Sequence, residues 1–95
     1  MTALLLDVGN TRIKWGVFDD GDIRRTGHIA QSRIREQGLQ VLTTKIPRRV
    51  DAVFASNVAG TSYATRLSGV VSAHCGCDVR FARSERSGWG VTNGY

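Results

Sequence analysis

The chain has 95 residues, a formal net charge of +5, 41% hydrophobic and 22% charged residues, and a sequence pI near 10.0. That length fits one domain with a thin core, since a domain of ~100 residues is a typical single unit and buries only about 60–65% of its unfolded surface. The composition excludes a disordered tail, no apolar run approaches the roughly 20 residues needed to cross a bilayer, and the N-terminus lacks the pattern of a secretory signal, so a cytoplasmic location is expected.

Three strands are predicted first, over residues 2–8, 12–18 and 23–29. Their connections, Gly9-Asn10-Thr11 and Asp19-Asp20-Gly21-Asp22, are strong turn signals and make an antiparallel meander the economical topology. Ser32 to Thr44 places Ile34, Leu39 and Leu42 among good helix formers, with Gly38 weakening the middle. After Pro47, Asp51 to Ser56 reads as a buried strand. A helix is expected from Thr61 or Ser62 to about Ala73, with Tyr63, Leu67, Val70 and Val71 on one side and a Ser/Thr N-cap. Asp78 to Arg83 is the last predicted strand. The order βββαβαβ is mixed α/β, an antiparallel meander feeding parallel strands through crossover helices. From Ser84 onward Gly88, Gly90, Asn93 and Gly94 favour a loop, in which Trp89 is expected as a packing anchor.

The most informative stretch is Asp7-Val8-Gly9-Asn10-Thr11-Arg12-Ile13-Lys14, a turn between two apolar runs. Gly9 allows a positive φ or the close approach of an anion, Asn10 and Thr11 supply donors, and successive amides in such a turn can cradle phosphate. Asp7, at a strand end, is the hard oxygen ligand Mg²⁺ takes directly or through water. Period-2 alternation puts Arg12 and Lys14 on one face and Ile13 and Trp15 on the other, which offers a cation to a phosphate. The same residues also suit an ordinary β-hairpin with a Gly-Asn turn. Asn57 just after a strand either lines the same cleft or simply makes a turn.

Other features carry less. The arginines are dispersed among Asp and Glu and do not interleave with aromatic residues, so nucleic acid is not an expected partner, whereas a basic surface favouring anionic nucleotides is. Cys75 and Cys77 with His74 lack the second ligand pair of a zinc site, so two reduced thiols near a helix-to-strand junction are expected.

The Asp-x-Gly-Asn-Thr turn followed by a basic residue resembles the first phosphate motif of the actin, hexokinase and heat-shock chaperone ATPase superfamily. The fuller string from Leu4 to Gly16 is similar to the opening of type III pantothenate kinases, including the Bvg accessory factors. The Asp51–Val58, Val79–Ala82 and Ser87–Tyr95 stretches fit the same family in order. The resemblance implies a ribonuclease H-like, actin-like ATPase domain over residues 1–95 that forms the N-terminal half of a two-domain kinase. It implies phosphoryl transfer from ATP to the 4′-hydroxyl of pantothenate, the first step of coenzyme A synthesis, with Mg²⁺ and a monovalent cation, K⁺ or NH₄⁺, in a homodimer. Nucleotide phosphates would be held by residues 7–14, Mg²⁺ by Asp7, and pantothenate by Tyr95. The general-base Asp of the family's Gly-x-Asp-Arg segment is expected beyond Tyr95, so no catalytic residue lies within the chain and turnover by these 95 residues alone is not expected. Two alternatives stand beside this reading: an accessory protein of the Bvg type acting through a partner, and another superfamily kinase or phosphatase.

Overall fold

A computed structural model describes residues 1–82. In chain order it contains β1 (Thr2–Val8), β2 (Arg12–Asp19), β3 (Asp22–Ala30), α1 (Gln31–Gln37), a 3₁₀ helix (Leu39–Thr44), β4 (Ala52–Asn57), α2 (Thr61–Cys75) and β5 (Val79–Phe81). The strands form one mixed sheet in the order β3-β2-β1-β4-β5. β1 sits at its centre, antiparallel to β2 and parallel to β4. The expected order therefore holds, and the fold is α/β with a three-strand meander on one side of β1 and parallel pairs on the other. The expected ends of the last strand at Arg83, the loop from Ser84, and Trp89 and Tyr95 lie outside the described residues.

Alternation explains how the sheet acquires two unlike faces. Leu4, Leu6 and Val8 of β1, Ile13, Trp15 and Val17 of β2, Ile29 of β3 and Val53 and Ala55 of β4 point to one side, where Ile34, Leu42, Ile46, Leu67, Val71 and Cys75 close over them as a single core. The opposite side carries Leu5, Asp7, Lys14, Phe54 and Ser56, all exposed. Helix α2 presents Leu67, Val71 and Cys75 at four-residue spacing to the core, with Tyr63 partly buried one turn earlier. Val70, expected in this stripe, is only partly buried and falls off that row.

The β2–β3 hairpin turns on Asp20 and Gly21, at φ 53° and 88°, the left-handed pair that matches the twist of the flanking strands. Asp20 also accepts a hydrogen bond from the N-terminal ammonium at 2.6 Å, and its amide donates to the Met1 carbonyl at 2.8 Å. At the other strand pair, the Thr2 amide donates to Asp51 Oδ2 at 2.7 Å while the Asp51 amide returns to the Thr2 carbonyl at 2.8 Å. This reciprocal clasp sets the register of β1 on β4.

Two local expectations are corrected. The Ser32–Thr44 helix is broken in two, because Gly38 stands at φ 89° and its extended ψ cannot continue α1. The start of α2 has no Ser/Thr cap: Gly60 precedes it at φ 101° with no side-chain cap bond. The turn is closed instead by Asn57, whose Nδ2 donates to the Gly60 carbonyl at 2.9 Å and whose Oδ1 accepts from the Ala59 amide at 3.2 Å.

Candidate functional site

The β1–β2 turn lies at the carboxyl end of the central strand, beside the carboxyl end of β4. Asp7 is exposed there, flanked in register by Lys14 of β2 and Ser56 of β4. Ser56 Oγ donates to Asp7 Oδ1 at 3.0 Å, which fixes the carboxylate and leaves Oδ2 without a protein partner among the described residues. Lys14 and Arg12 are both exposed, and neither forms an ion pair with a carboxylate among the described residues. Asp7, Lys14 and Ser56 line one depression of about 380 Å³ on the open face together with Leu5, Phe18 and Phe54.

Within the turn, the positive φ that was one of two expectations for Gly9 does not occur. Its backbone is not left-handed; the small residue relieves crowding, because a Cβ there would stand 3.2 Å from the Arg12 carbonyl oxygen. The Gly9 amide donates to that carbonyl at 3.0 Å and is spent on closing the turn. The amides of Asn10 and Thr11 donate to no protein acceptor among the described residues, and both residues are exposed. Val8 and Ile13 are fully buried on the helix side, so only their main chain can serve a ligand, and Val8 already gives its carbonyl to the Val58 amide at 3.0 Å. The turn thus brings Asp7, Asn10, Thr11, Arg12 and Lys14 to the surface. Tyr95 lies outside the described residues.

Sequence reasoning missed three residues around the turn. Ser56 is one. Gln31, 4% exposed, is the sole buried polar residue among those described: its Nε2 donates to the Gly9 carbonyl at 2.9 Å, and its amide donates to the Thr11 carbonyl at 2.8 Å. Tyr63 is the third; its hydroxyl donates to Gln31 Oε1 at 2.8 Å, and Arg66 sits 5.5 Å from the centre of its ring. Burial raises the Tyr63 pKa, against the lowering effects of the Gln31 hydrogen bond and of Arg66 and Arg35. A Gln one residue ahead of the helix expected from Ser32 was the only available cue. Asn57, the ambiguous residue, is occupied in its turn.

The residues suit a metal carried in by a substrate better than a resident one. No group of three or more His, Cys, Asp or Glu side chains able to hold an ion occurs among the described residues. One exposed carboxylate with a free oxygen is the kind of ligand Mg²⁺ accepts when phosphate oxygens and water complete its shell. Away from the site, Cys75 is buried and its Sγ lies 3.4 Å from the Pro47 carbonyl, and His74 Nε2 lies 3.1 Å from the Ile46 carbonyl.

A family model described as type III pantothenate kinase matches residues 3–95. The chain belongs to the type III pantothenate kinase family. Among curated members, it is 37% identical over 92 residues to the type III pantothenate kinase of Azoarcus sp. (strain BH72), covering 97% of this chain and 34% of that one. It is 39% identical over 95 residues to that of Burkholderia ambifaria and 30% identical over 95 residues to that of Bordetella pertussis, in each case covering 97% of this chain and 35% of the relative. The chain thus spans about a third of the length of these pantothenate kinases. In three dimensions it resembles a Bacteroides thetaiotaomicron protein of actin-like ATPase fold and unknown function, with a TM-score of 0.52 and 10% identity over 85% of this chain and 32% of that one. The fold of this pantothenate kinase family member is therefore that of the actin-like ATPases. Among the described residues no helix is long and apolar enough to cross a membrane.

Proposed function

We propose that the chain is the N-terminal, phosphate-binding domain of a two-domain cytoplasmic enzyme that transfers the γ-phosphoryl group of ATP to the 4′-hydroxyl of pantothenate, the first step of coenzyme A biosynthesis. One observation carries the reading: in a chain of this family, the β1–β2 turn exposes two uncommitted amides between a carboxylate at position 7 and an ammonium at position 14. Phosphoryl transfer depends mainly on positioning and on neutralising charge. Asn10 and Thr11 would hold phosphate oxygens, Lys14 and Arg12 would offset their charge, and Asp7, oriented by Ser56, would hold Mg²⁺. When bound there, Mg²⁺ would supply neutralisation of phosphate charge. Val8, Gly9 and Ile13 serve through main chain and turn geometry. Tyr95 is assigned to pantothenate, the general base to the region beyond it, and K⁺ or NH₄⁺ and the homodimer to the complete enzyme; these assignments are supported by the family.

The test is a coupled assay of ATP-dependent pantothenate phosphorylation with Mg²⁺ and K⁺ or ammonium, run on the complete kinase, its Asp7→Ala variant and the 95-residue chain. Turnover in the complete kinase, a loss of at least about 10²-fold in Asp7→Ala, and none from the 95 residues is the expected pattern. A complete protein without turnover would move the weight to an accessory role through a partner or to another substrate, and an Asp7→Ala variant at full rate would overturn the role given to Asp7.

A further inference from the structure

The carbonyl groups of the β1–β2 turn are as informative as its amides. In a trans peptide the C=O and the following N–H point in opposite directions, and among the described residues every peptide is trans. The Gly9 carbonyl points inward to Gln31 Nε2 and the Thr11 carbonyl inward to the Gln31 amide. The Asn10 amide must therefore point away from Gln31, toward solvent. A peptide flip at Gly9-Asn10 would bury that N–H against the Gln31 amide group and turn a carbonyl toward the incoming anion.

Gln31 can hold this orientation only if its own amide keeps one sense. A glutamine side chain can rotate to exchange its oxygen and nitrogen, and the neighbouring bonds decide between the two. Here the Gly9 carbonyl can only accept, so it takes Nε2 at 2.9 Å, and Oε1 is left to accept from the Tyr63 hydroxyl at 2.8 Å. Tyr63 is anchored on α2 one turn before the core residue Leu67, so the setting of the turn is tied to the helix that follows β4.

We infer that Gln31 and Tyr63 are positioning residues that lock the Gly9-Asn10 peptide in the sense that presents its N–H to phosphate. Neither side chain touches the anion; they act through the turn. The inference rests on the phosphate-binding reading above, and its test separates the two.

The probe is inorganic triphosphate with Mg²⁺, titrated into the ¹⁵N-labelled 95-residue chain while the Asn10 and Thr11 amide resonances and their hydrogen exchange are followed. Wild type, Gln31→Glu and Tyr63→Phe are compared, with thermal melts as a control. Glu at position 31 has the size of Gln but no donor for the Gly9 carbonyl. Tyr63→Phe keeps the ring and removes only the donor to Gln31. Displaced Asn10 resonances before any ligand is added are expected in both variants. Triphosphate affinity is expected to fall about 3–10-fold in Tyr63→Phe and at least about 10-fold in Gln31→Glu, from loss of one neutral or one mispaired buried hydrogen bond. If Gln31→Glu does not fold, Tyr63→Phe decides alone. If wild type ignores triphosphate while the variants still shift the Asn10 amide, the phosphate reading fails and the positioning role stands. If both folded variants keep the wild-type Asn10 resonance and exchange rate, the positioning role is overturned.

Discussion

Gly27 faces Trp15 across the β2–β3 ladder, and a Cβ at Gly27 would stand 2.4 Å from the indole Cζ2. No real Cβ tolerates that distance, and the indole is held in the core at 9% exposure, so the ring cannot simply swing aside. Gly27→Ala should destabilise the chain by about 1–3 kcal/mol, the usual cost of overpacking a filled site. In urea unfolding, Trp15→Phe combined with Gly27→Ala should recover part of that loss relative to the sum of the single changes. Strict additivity would show that the ring is not the obstacle.

Alkaline pH should weaken the fold through Cys75. Burial pushes its thiol up to about 11, with Cys77 adding to the rise, whereas an unfolded thiol titrates near about 8.5. The folded state therefore retains the proton longer. Its contribution is complete below pH ~8.5 and is lost as pH rises from there to about 11, on the order of 3 kcal/mol in all. Tyr63, also raised by burial, acts in the same direction at the upper end. Urea midpoints at pH 8 and pH 10.5 should converge in Cys75→Ala relative to wild type; an unchanged slope would exclude the thiol as the source.

Asn57 should matter to the fold and not to the anion. Asn57→Ala removes both bonds that close the turn into α2 and should cost about 0.5–2 kcal/mol, as loss of a capping side chain does. Triphosphate affinity, measured at a temperature where the variant remains folded, should match wild type. A selective loss of affinity would put Asn57 in the site.

The open sheet face should make the isolated chain sticky. Leu5 and Phe54 are 39% and 40% exposed on adjacent central strands, beside Phe18 in the same depression, and such contiguous apolar surface favours association. Sedimentation velocity should show concentration-dependent association that Phe54→Thr reduces. An equal tendency in the variant would place the contact elsewhere.

Much of this molecule was legible in its residues, for identifiable reasons. Period-2 alternation from Arg12 assigned both strand and face to β2, the apolar run ahead of Asp7 marked β1 as a strand, and Asp20-Gly21 has one comfortable hairpin geometry. The β1–β2 turn with its polar residues was visible because Asp7, Asn10, Thr11 and Lys14 all fall within the short stretch 7–14. Contacts formed by residues distant in sequence were not visible: Ser56 reaches Asp7 across 49 residues, and Tyr63 reaches Gln31 across 32. Gly38 signalled weakness in the middle of the Ser32–Thr44 helix, but only its positive φ turns weakness into a break. The missing cap on α2 was not legible either: Gly60 at φ 101° precedes the helix without a side-chain cap, and Asn57 closes the turn before it.

The central position of β1 also sets an order of assembly. Its antiparallel partner follows after a three-residue turn, while its parallel partner arrives only after the whole of β2, β3 and α1. Closing the longer loop costs more chain entropy, so the meander, and with it the Gly9–Thr11 turn, is the cheaper part to form. Ser56 and Tyr63 join when β4 and α2 dock. A nascent chain would own the turn before it owns the grip, and a ligand that prefers the finished turn would draw β4 and α2 into place, making that ligand a late folding partner.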